Sequence, residues 1–131
     1  MPRRELYRGE PTFESIRFDV AGAPGPSLAE IMLGSVKFKR PQDHVFVERG
    51  SWSRVRCVID WPNVSEDSFS IPTTMLGSKQ PITREMLAQE VAQKLVSFLQ
   101  ANGLTRSYET VRLLGLAYYK RVFVPIIALD H

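Results

Sequence analysis

The most regular pattern of apolar and polar positions lies between residues 83 and 101, and it predicts an amphipathic helix. Its apolar positions recur every three or four residues, as on one face of a helix. They are Leu87, Ala88, Val91, Ala92, Leu95, Phe98 and Leu99. Thr83 is a suitable N-cap, and Asn102 with Gly103 supplies a left-handed stop. We therefore expect a helix over about 83–101 with one face packed on a sheet.

Strict alternation predicts strands at residues 12–20 and 54–61. In the second, one phase holds Val55, Cys57, Ile59 and Trp61, and the other includes Arg54 and Arg56. Between these strands, Ser27 is expected to cap a helical turn over 28–33, and residues 35–39 alternate as in a strand with Val36 and Phe38 inward. A short strand is also expected at residues 44–48.

Two later segments differ sharply in composition. Residues 62–81 contain three prolines and few periodic apolar positions, so they are expected to form a long connection. Residues 111–129 are apolar on both alternating phases, which is typical of strands covered on both faces. A helix beginning at Ser107 is the alternative, but Gly115 and Pro125 would weaken it.

These elements predict an α+β fold, with an antiparallel or mixed sheet of about five or six strands and one long amphipathic helix on one face. The single domain is expected to span residues 12–131, after a polar N-terminal arm of residues 1–11.

Composition supports a folded chain, because 44% of its 131 residues are hydrophobic and 24% are charged. The single cysteine, Cys57, excludes an intrachain disulfide and any zinc site that needs several thiolates. We find neither an apolar signal core nor a stretch of ~20 apolar residues. The expected location is intracellular, cytoplasmic or nuclear, without membrane association.

Residues 80–129 also resemble a known group of proteins. The segment PITREMLAQEVAQKLVSFL is followed, after a short linker, by VRLLGLAYYKRVFVPIIAL. This order is similar to that of small single-domain proteins of basidiomycete fungi, a group with no assigned function. The resemblance implies a helix followed by a strand and brings no catalytic residue with it.

The motifs of common enzyme classes are absent: there is no phosphate-binding glycine loop, G-x-S-x-G elbow or H-E-x-x-H sequence. A nucleophilic pair would have to use Cys57 and His44. Cys57 lies on the apolar phase of its strand, which favours an inert core thiol, and His44 is expected in a solvated loop. We therefore predict no catalytic residue, cofactor or metal. A small enzyme with a pocket under residues 62–81 is kept as an alternative.

Basic residues are concentrated between residues 37 and 56, with six basic against two acidic residues, in a chain of net charge +3. Lys37 and Lys39 would share a sheet face with Arg54 and Arg56 if their strands were neighbours, and such a face would attract phosphate. The sequence favours the other interpretation, in which the face is solvated and its arginines are neutralised across strands by Asp19, Glu48 and Asp60.

The predicted function is a non-enzymatic binding or protein-interaction module, with a nucleic-acid-binding domain using residues 37–56 as the alternative. Trp52 is the leading contact residue, because Trp and Arg are enriched at interface hot spots. The candidate binding residues are Lys37, Lys39, Arg49, Trp52, Arg54 and Arg56.

Self-association is a further expectation. If the last strand lies at a sheet edge, it could pair with a second copy through Val122, Val124, Ile126 and Ile127. The expected partner is thus another protein or a second copy, with a homodimer favoured over a monomer.

Overall fold

The computed structural model describes residues 13–20, 25–34, 36–45, 54–61, 67–74, 80–103, 108–119 and 122–129. Seven elements lie within these residues. They are β1 (Phe13–Arg17), α1 (Leu28–Leu33), β2 (Arg54–Ile59), β3 (Asp67–Pro72), α2 (Arg84–Ala101), β4 (Val111–Tyr119) and β5 (Val122–Leu129). The predicted fold class is confirmed: the fold is α+β, with a five-stranded mixed sheet and the long helix α2 packed against it.

The strand order in the sheet is β1-β4-β5-β2-β3. β1 with β4, β4 with β5, and β2 with β3 are antiparallel, whereas β2 and β5 run parallel, with Cys57 opposite Phe123. β5 therefore lies between two strands. The condition for pairing between copies through β5, that this strand lies at a sheet edge, is not met, because β4 pairs with one side of β5 and β2 with the other.

Helix α2 begins and ends close to where its sequence pattern predicts, and all seven of its predicted apolar residues are buried. Its first N–H groups find acceptors within the chain. Arg84 N–H donates to the Asp43 carbonyl at 2.9 Å, and Met86 N–H donates to Thr83 Oγ1 at 3.3 Å. Glu85 N–H donates to the Pro41 carbonyl at 3.1 Å. The N-terminus of α2 is thus capped by residues 41–43 and Thr83.

Helix α1 is the predicted turn capped by Ser27. Ser27 accepts the Glu30 N–H at 3.2 Å, while the Glu30 carboxylate accepts the Ser27 N–H at 3.2 Å, which forms a capping box. Gly34 ends the helix in the left-handed region, with φ 71°. Leu28 and Ile31 join the same core as α2, so both helices lie on one face of the sheet.

We call this side the helix face; it carries Val55, Cys57, Ile59, Ile71, Leu113 and Phe123. On the opposite face, Val58, Ala117 and Val124 form a second buried cluster, with Val122 and Ile126 packed against it. The sheet is therefore apolar on both sides at its centre, as the pattern of residues 111–129 predicts.

A bulge explains how β4 contributes to both faces. Leu113 pairs with Ile127 and Gly115 with Ile126, so Leu114 is an extra residue in β4. Before the bulge, Val111 and Leu113 belong to the helix-face core; after it, Leu116 and Tyr118 do. The side-chain phase thus changes once within the strand.

Two sequence predictions differ from the structure. The predicted strand at 35–39 is described from residue 36, and residues 36–39 form no named strand: Phe38 makes an isolated bridge with Val20 and an edge-to-face contact with Phe18, with ring centroids 6.4 Å apart. Residues 62–81 were expected to be a connection, but they contain strand β3. β3 lacks a strong apolar pattern because it is an edge strand with only one face on the core.

The predicted strand at 44–48 is described only at its start, where Val45 N–H donates to the Ile82 carbonyl at 2.9 Å. Residues 46–48 lie outside the described residues. In the described part of the chain, no helix combines the length and apolar character needed to cross a membrane.

Candidate binding site on the sheet

Arg54 and Arg56 lie on β2 with exposed side chains, on the sheet face opposite the helices. Their neighbours Val55 and Cys57 are buried on the helix face. This arrangement follows from the two-residue period of a strand, which sends alternate side chains to opposite faces. The structure therefore brings these two predicted site residues together, as the alternation predicts.

Arg54 contacts the neighbouring strand β3 at Ser70. Its Nε donates to Ser70 Oγ at 2.9 Å, and its Nη2 donates to the Ser70 carbonyl at 3.2 Å. Both contacts are exposed, and neither partner carries a charge. The guanidinium is thus held in place while its charge remains available to an anion.

In the pairing of β2 with β3, no acidic residue lies opposite Arg54 or Arg56, although the sequence predicted their neutralisation across strands. Arg54 lies opposite Pro72, and Arg56 lies opposite Ser70. Asp19 instead pairs with Arg17, at 3.3 Å, and Asp60 is buried with 5% exposure. Among the described residues, no carboxylate forms an ion pair with Arg54 or Arg56. Glu48 lies outside the described residues.

Apolar residues adjoin this basic pair on the same face. Because Cys57 lies opposite Phe123 in the parallel pair, Val58 comes beside Val124, and these two are buried together. Val122, next to Val124 on the same phase of β5, is only partly buried. On this face, the two cations lie on β2, towards β3. The apolar surface lies on the other side of β2, along β5.

Lys37 and Lys39 lie elsewhere. Both side chains are exposed, and Phe38 between them bridges to Val20, just after β1. In the sheet, β4 and β5 separate β1 from β2. One continuous basic face would require a strand with Lys37 and Lys39 beside β2. The described strand pairings include no such strand.

Arg49 and Trp52, which were also predicted as contact residues, lie outside the described residues. The four residues proposed for a dimer interface divide between the two faces. Ile127 belongs to the core beneath the helices, whereas Val122, Val124 and Ile126 lie on the opposite face. Pairing through a β5 edge is ruled out by the strand order; contact between copies through the opposite face stays a prediction.

Cys57 and His44 do not form a catalytic pair. Cys57 is completely buried, and burial raises the pKa of its thiol from 9.0 to about 12. His44 is exposed, with its Nδ1 2.6 Å from the Pro81 carbonyl oxygen. A thiol that stays protonated and out of reach is an inert core group, as predicted.

A second polar cluster surrounds the start of α2. Asp43 accepts from Arg40 at 2.8 Å and from Arg84 at 3.4 Å, and Arg84 also donates to the Arg40 carbonyl at 2.9 Å. These contacts fix the capping segment 40–43, with Arg40 in the left-handed region at φ 54°. Their role is structural, since they satisfy one another. Among the described residues, no three His, Cys, Asp or Glu side chains come together as a metal site.

Sequence reasoning missed two residues at the candidate site, Ser68 and Ser70. Both are exposed on β3, on the same face as Arg54 and Arg56. The signal was the alternation in DSFSIP, where two serines alternate with Phe69 and Ile71. It is only a few residues long, and Pro72 argues against a central strand without excluding an edge strand.

Comparison with known proteins gives this site no precedent. No protein-family model, no curated protein and no solved structure matches the chain.

Proposed function

We propose that the protein is a non-enzymatic binding module that recognises an acidic protein segment through Arg54 and Arg56. The observation that carries this proposal is the absence of any described carboxylate paired with these two exposed arginines. An exposed arginine on a strand is stabilised by an acidic side chain directly opposite it. Here their cross-strand neighbours are Ser70 and Pro72.

A protein partner is favoured over a nucleic acid by the distribution of positive charge. Binding a nucleic-acid backbone requires a run of cations that follows successive phosphates. The two lysines near Phe38 and the two arginines of β2 are associated with different parts of the sheet. A pair of arginines beside partly exposed Val122 suits a shorter ligand that carries both carboxylates and apolar groups.

The test is a fluorescence-anisotropy titration with a labelled ten-residue peptide of alternating Glu and Val. We expect the R54A/R56A variant to bind at least tenfold more weakly than wild type, which corresponds to about 1.4 kcal/mol. The matched control is K37A/K39A, which removes the same charge from two other exposed positions. Its affinity should stay within about twofold of wild type, because long-range attraction is screened at physiological salt.

Equal weakening in the two variants would mean that only net charge matters, and it would refute a site on β2. A labelled single-stranded oligonucleotide serves as the competing ligand. Tighter binding of the oligonucleotide than of the peptide, lost in both variants, would replace the proposal with the nucleic-acid alternative.

A further inference from the structure

The outer edge of β3 offers a place where an extended chain can add to the sheet. β3 is the last strand in the order β1-β4-β5-β2-β3, and its six residues pair with β2 alone among the described strands. Beyond Pro72, Thr74 bridges to Pro81, and Ile82 N–H donates to the Thr73 carbonyl at 2.9 Å. The outer edge of the sheet at β3 therefore runs over Asp67–Pro72.

Two backbone groups of β3 are bonded to exposed side chains. Ser68 N–H donates to Asp67 Oδ1 at 2.9 Å, and the Ser70 carbonyl accepts from Arg54 Nη2 at 3.2 Å. Pro72 lies on the same phase, and a proline in an edge strand normally turns its missing N–H outward. Ser68, Ser70 and Pro72 thus direct their backbone groups away from β2, towards the outer edge.

These side-chain contacts are exposed, so an incoming strand can replace them at low cost. The contact of Arg54 Nε with Ser70 Oγ involves no backbone group, so it can keep the guanidinium beside β3 when the strand binds. A strand added there would lie about 4.8 Å beyond β3. The carboxylates of the added strand that share a face with Arg54 would lie within reach of its guanidinium, because the serine side chains of β3 between them are small.

The other face of β3 favours apolar partners. Phe69 is partly buried and packs against the helix-face core, and Ile71 is fully buried beside it. Residues of an added strand that point to this side would extend the apolar surface at Phe69. The preferred ligand would therefore alternate acidic and apolar side chains, since successive residues of a strand face opposite sides.

We infer that the edge of β3 binds an extended segment of a partner protein, with alternating acidic and apolar residues, as a sixth strand of the sheet. This inference rests on the proposed function, for which it specifies the mode of binding and places the apolar side chains of the ligand at Phe69 instead of Val122. A second copy of the chain is a poorer occupant. Two β3 edges paired about a two-fold axis would bring both Arg54 side chains to the same face near the axis, where like charges repel.

The experiment uses wild-type protein and three versions of the alternating Glu and Val peptide. One is unmodified, one is N-methylated at every Glu, and one is N-methylated at every Val. All three carry the same charge, but each methylated form can donate hydrogen bonds from only one of its two edges. We expect one methylated form to bind within about threefold of the unmodified peptide and the other to bind at least tenfold more weakly.

Equal affinity of the three peptides would refute strand addition and leave recognition by Arg54 and Arg56 standing. No binding of the unmodified peptide would instead refute the proposed function itself.

Discussion

At the scale of single residues, neighbouring positions of β2 have opposite chemical character because they face different surroundings. Cys57 is completely buried on the helix face, whereas Arg56 is exposed on the other face. Burial disfavours the thiolate, since a charge loses its hydration in an apolar core. The same strand therefore carries an unreactive thiol on one side and a candidate binding cation on the other.

The buried thiol predicts how the protein responds to labelling and to pH. Because the pKa of Cys57 is about 12 in the folded chain and 9.0 ordinarily, its stabilising contribution is fully present below pH 9 and is lost as pH rises towards 12. The limiting slope is about 1.4 kcal/mol per pH unit. Denaturant titrations between pH 8 and pH 10.5 should show wild type losing stability faster than Cys57→Ala above pH 9.

A thiol reagent provides the independent check. At pH 8, native protein should remain unlabelled, while protein unfolded in denaturant should react at once, because only exposure makes the thiolate accessible. Rapid labelling of native protein, or identical pH profiles for wild type and Cys57→Ala, would contradict the placement of Cys57 in the core.

At the scale of elements, the joint between β1 and β4 depends on the lack of a side chain at Gly115. Gly115 pairs with Arg17, and a Cβ at residue 115 would overlap the carbonyl oxygen of Ile16. Backbone atoms cannot rotate away as a flexible side chain can. The close approach of these two strands therefore requires glycine at this position.

Gly115→Ala should separate β1 from β4 and cost roughly 1–3 kcal/mol, the usual range for forcing extra atoms into a packed site. Thermal unfolding measures the loss. Relative to wild type, amide hydrogen exchange should accelerate more in β1 and β4 than in β2 and β3. A matched control is Ser68→Ala, a small change at an exposed strand position. An unchanged melting curve for Gly115→Ala would contradict the described approach of β1 to β4.

The helices were predictable because their signals are local. Ser27 and Thr83 accept N–H groups within three residues of themselves, and the apolar face of α2 follows from its period. Strand β3 was not predictable, because Phe69 and Ile71 become core residues only through pairing with β2. The same applies to Phe38, whose inward position is right, although a single bridge to Val20 takes the place of a strand.

The candidate site was predictable only in part, for a similar reason. Alternation places Arg54 and Arg56 on one face, but their neighbours depend on the strand order. The sequence therefore allowed Lys37 and Lys39 to join them, and it allowed β5 to be an edge strand. The position of the two lysines and the position of β5 both depend on long-range strand pairing, which local residue spacing does not determine.

At the scale of the whole molecule, the fold separates stability from the proposed binding. Both helices contribute their buried residues to one face of the sheet, where the main core lies. The opposite face and the β3 edge carry the exposed arginines and serines of β2 and β3. Substitutions at Arg54 and Arg56 should consequently alter binding with little effect on stability, since exposed positions usually change it by about 0.5 kcal/mol or less.

The most direct measurement is an amide chemical-shift titration of isotopically labelled protein with the alternating Glu and Val peptide. We predict that the largest shifts fall on Arg54–Ile59 and on residues 67–71, since Pro72 has no N–H, while those of Leu28–Leu33 and Arg84–Ala101 stay small. In R54A/R56A, the shifts at the same peptide concentration should largely disappear. Shifts concentrated around Lys37 and Lys39, or spread evenly over the chain, would contradict a binding site on β2 and β3.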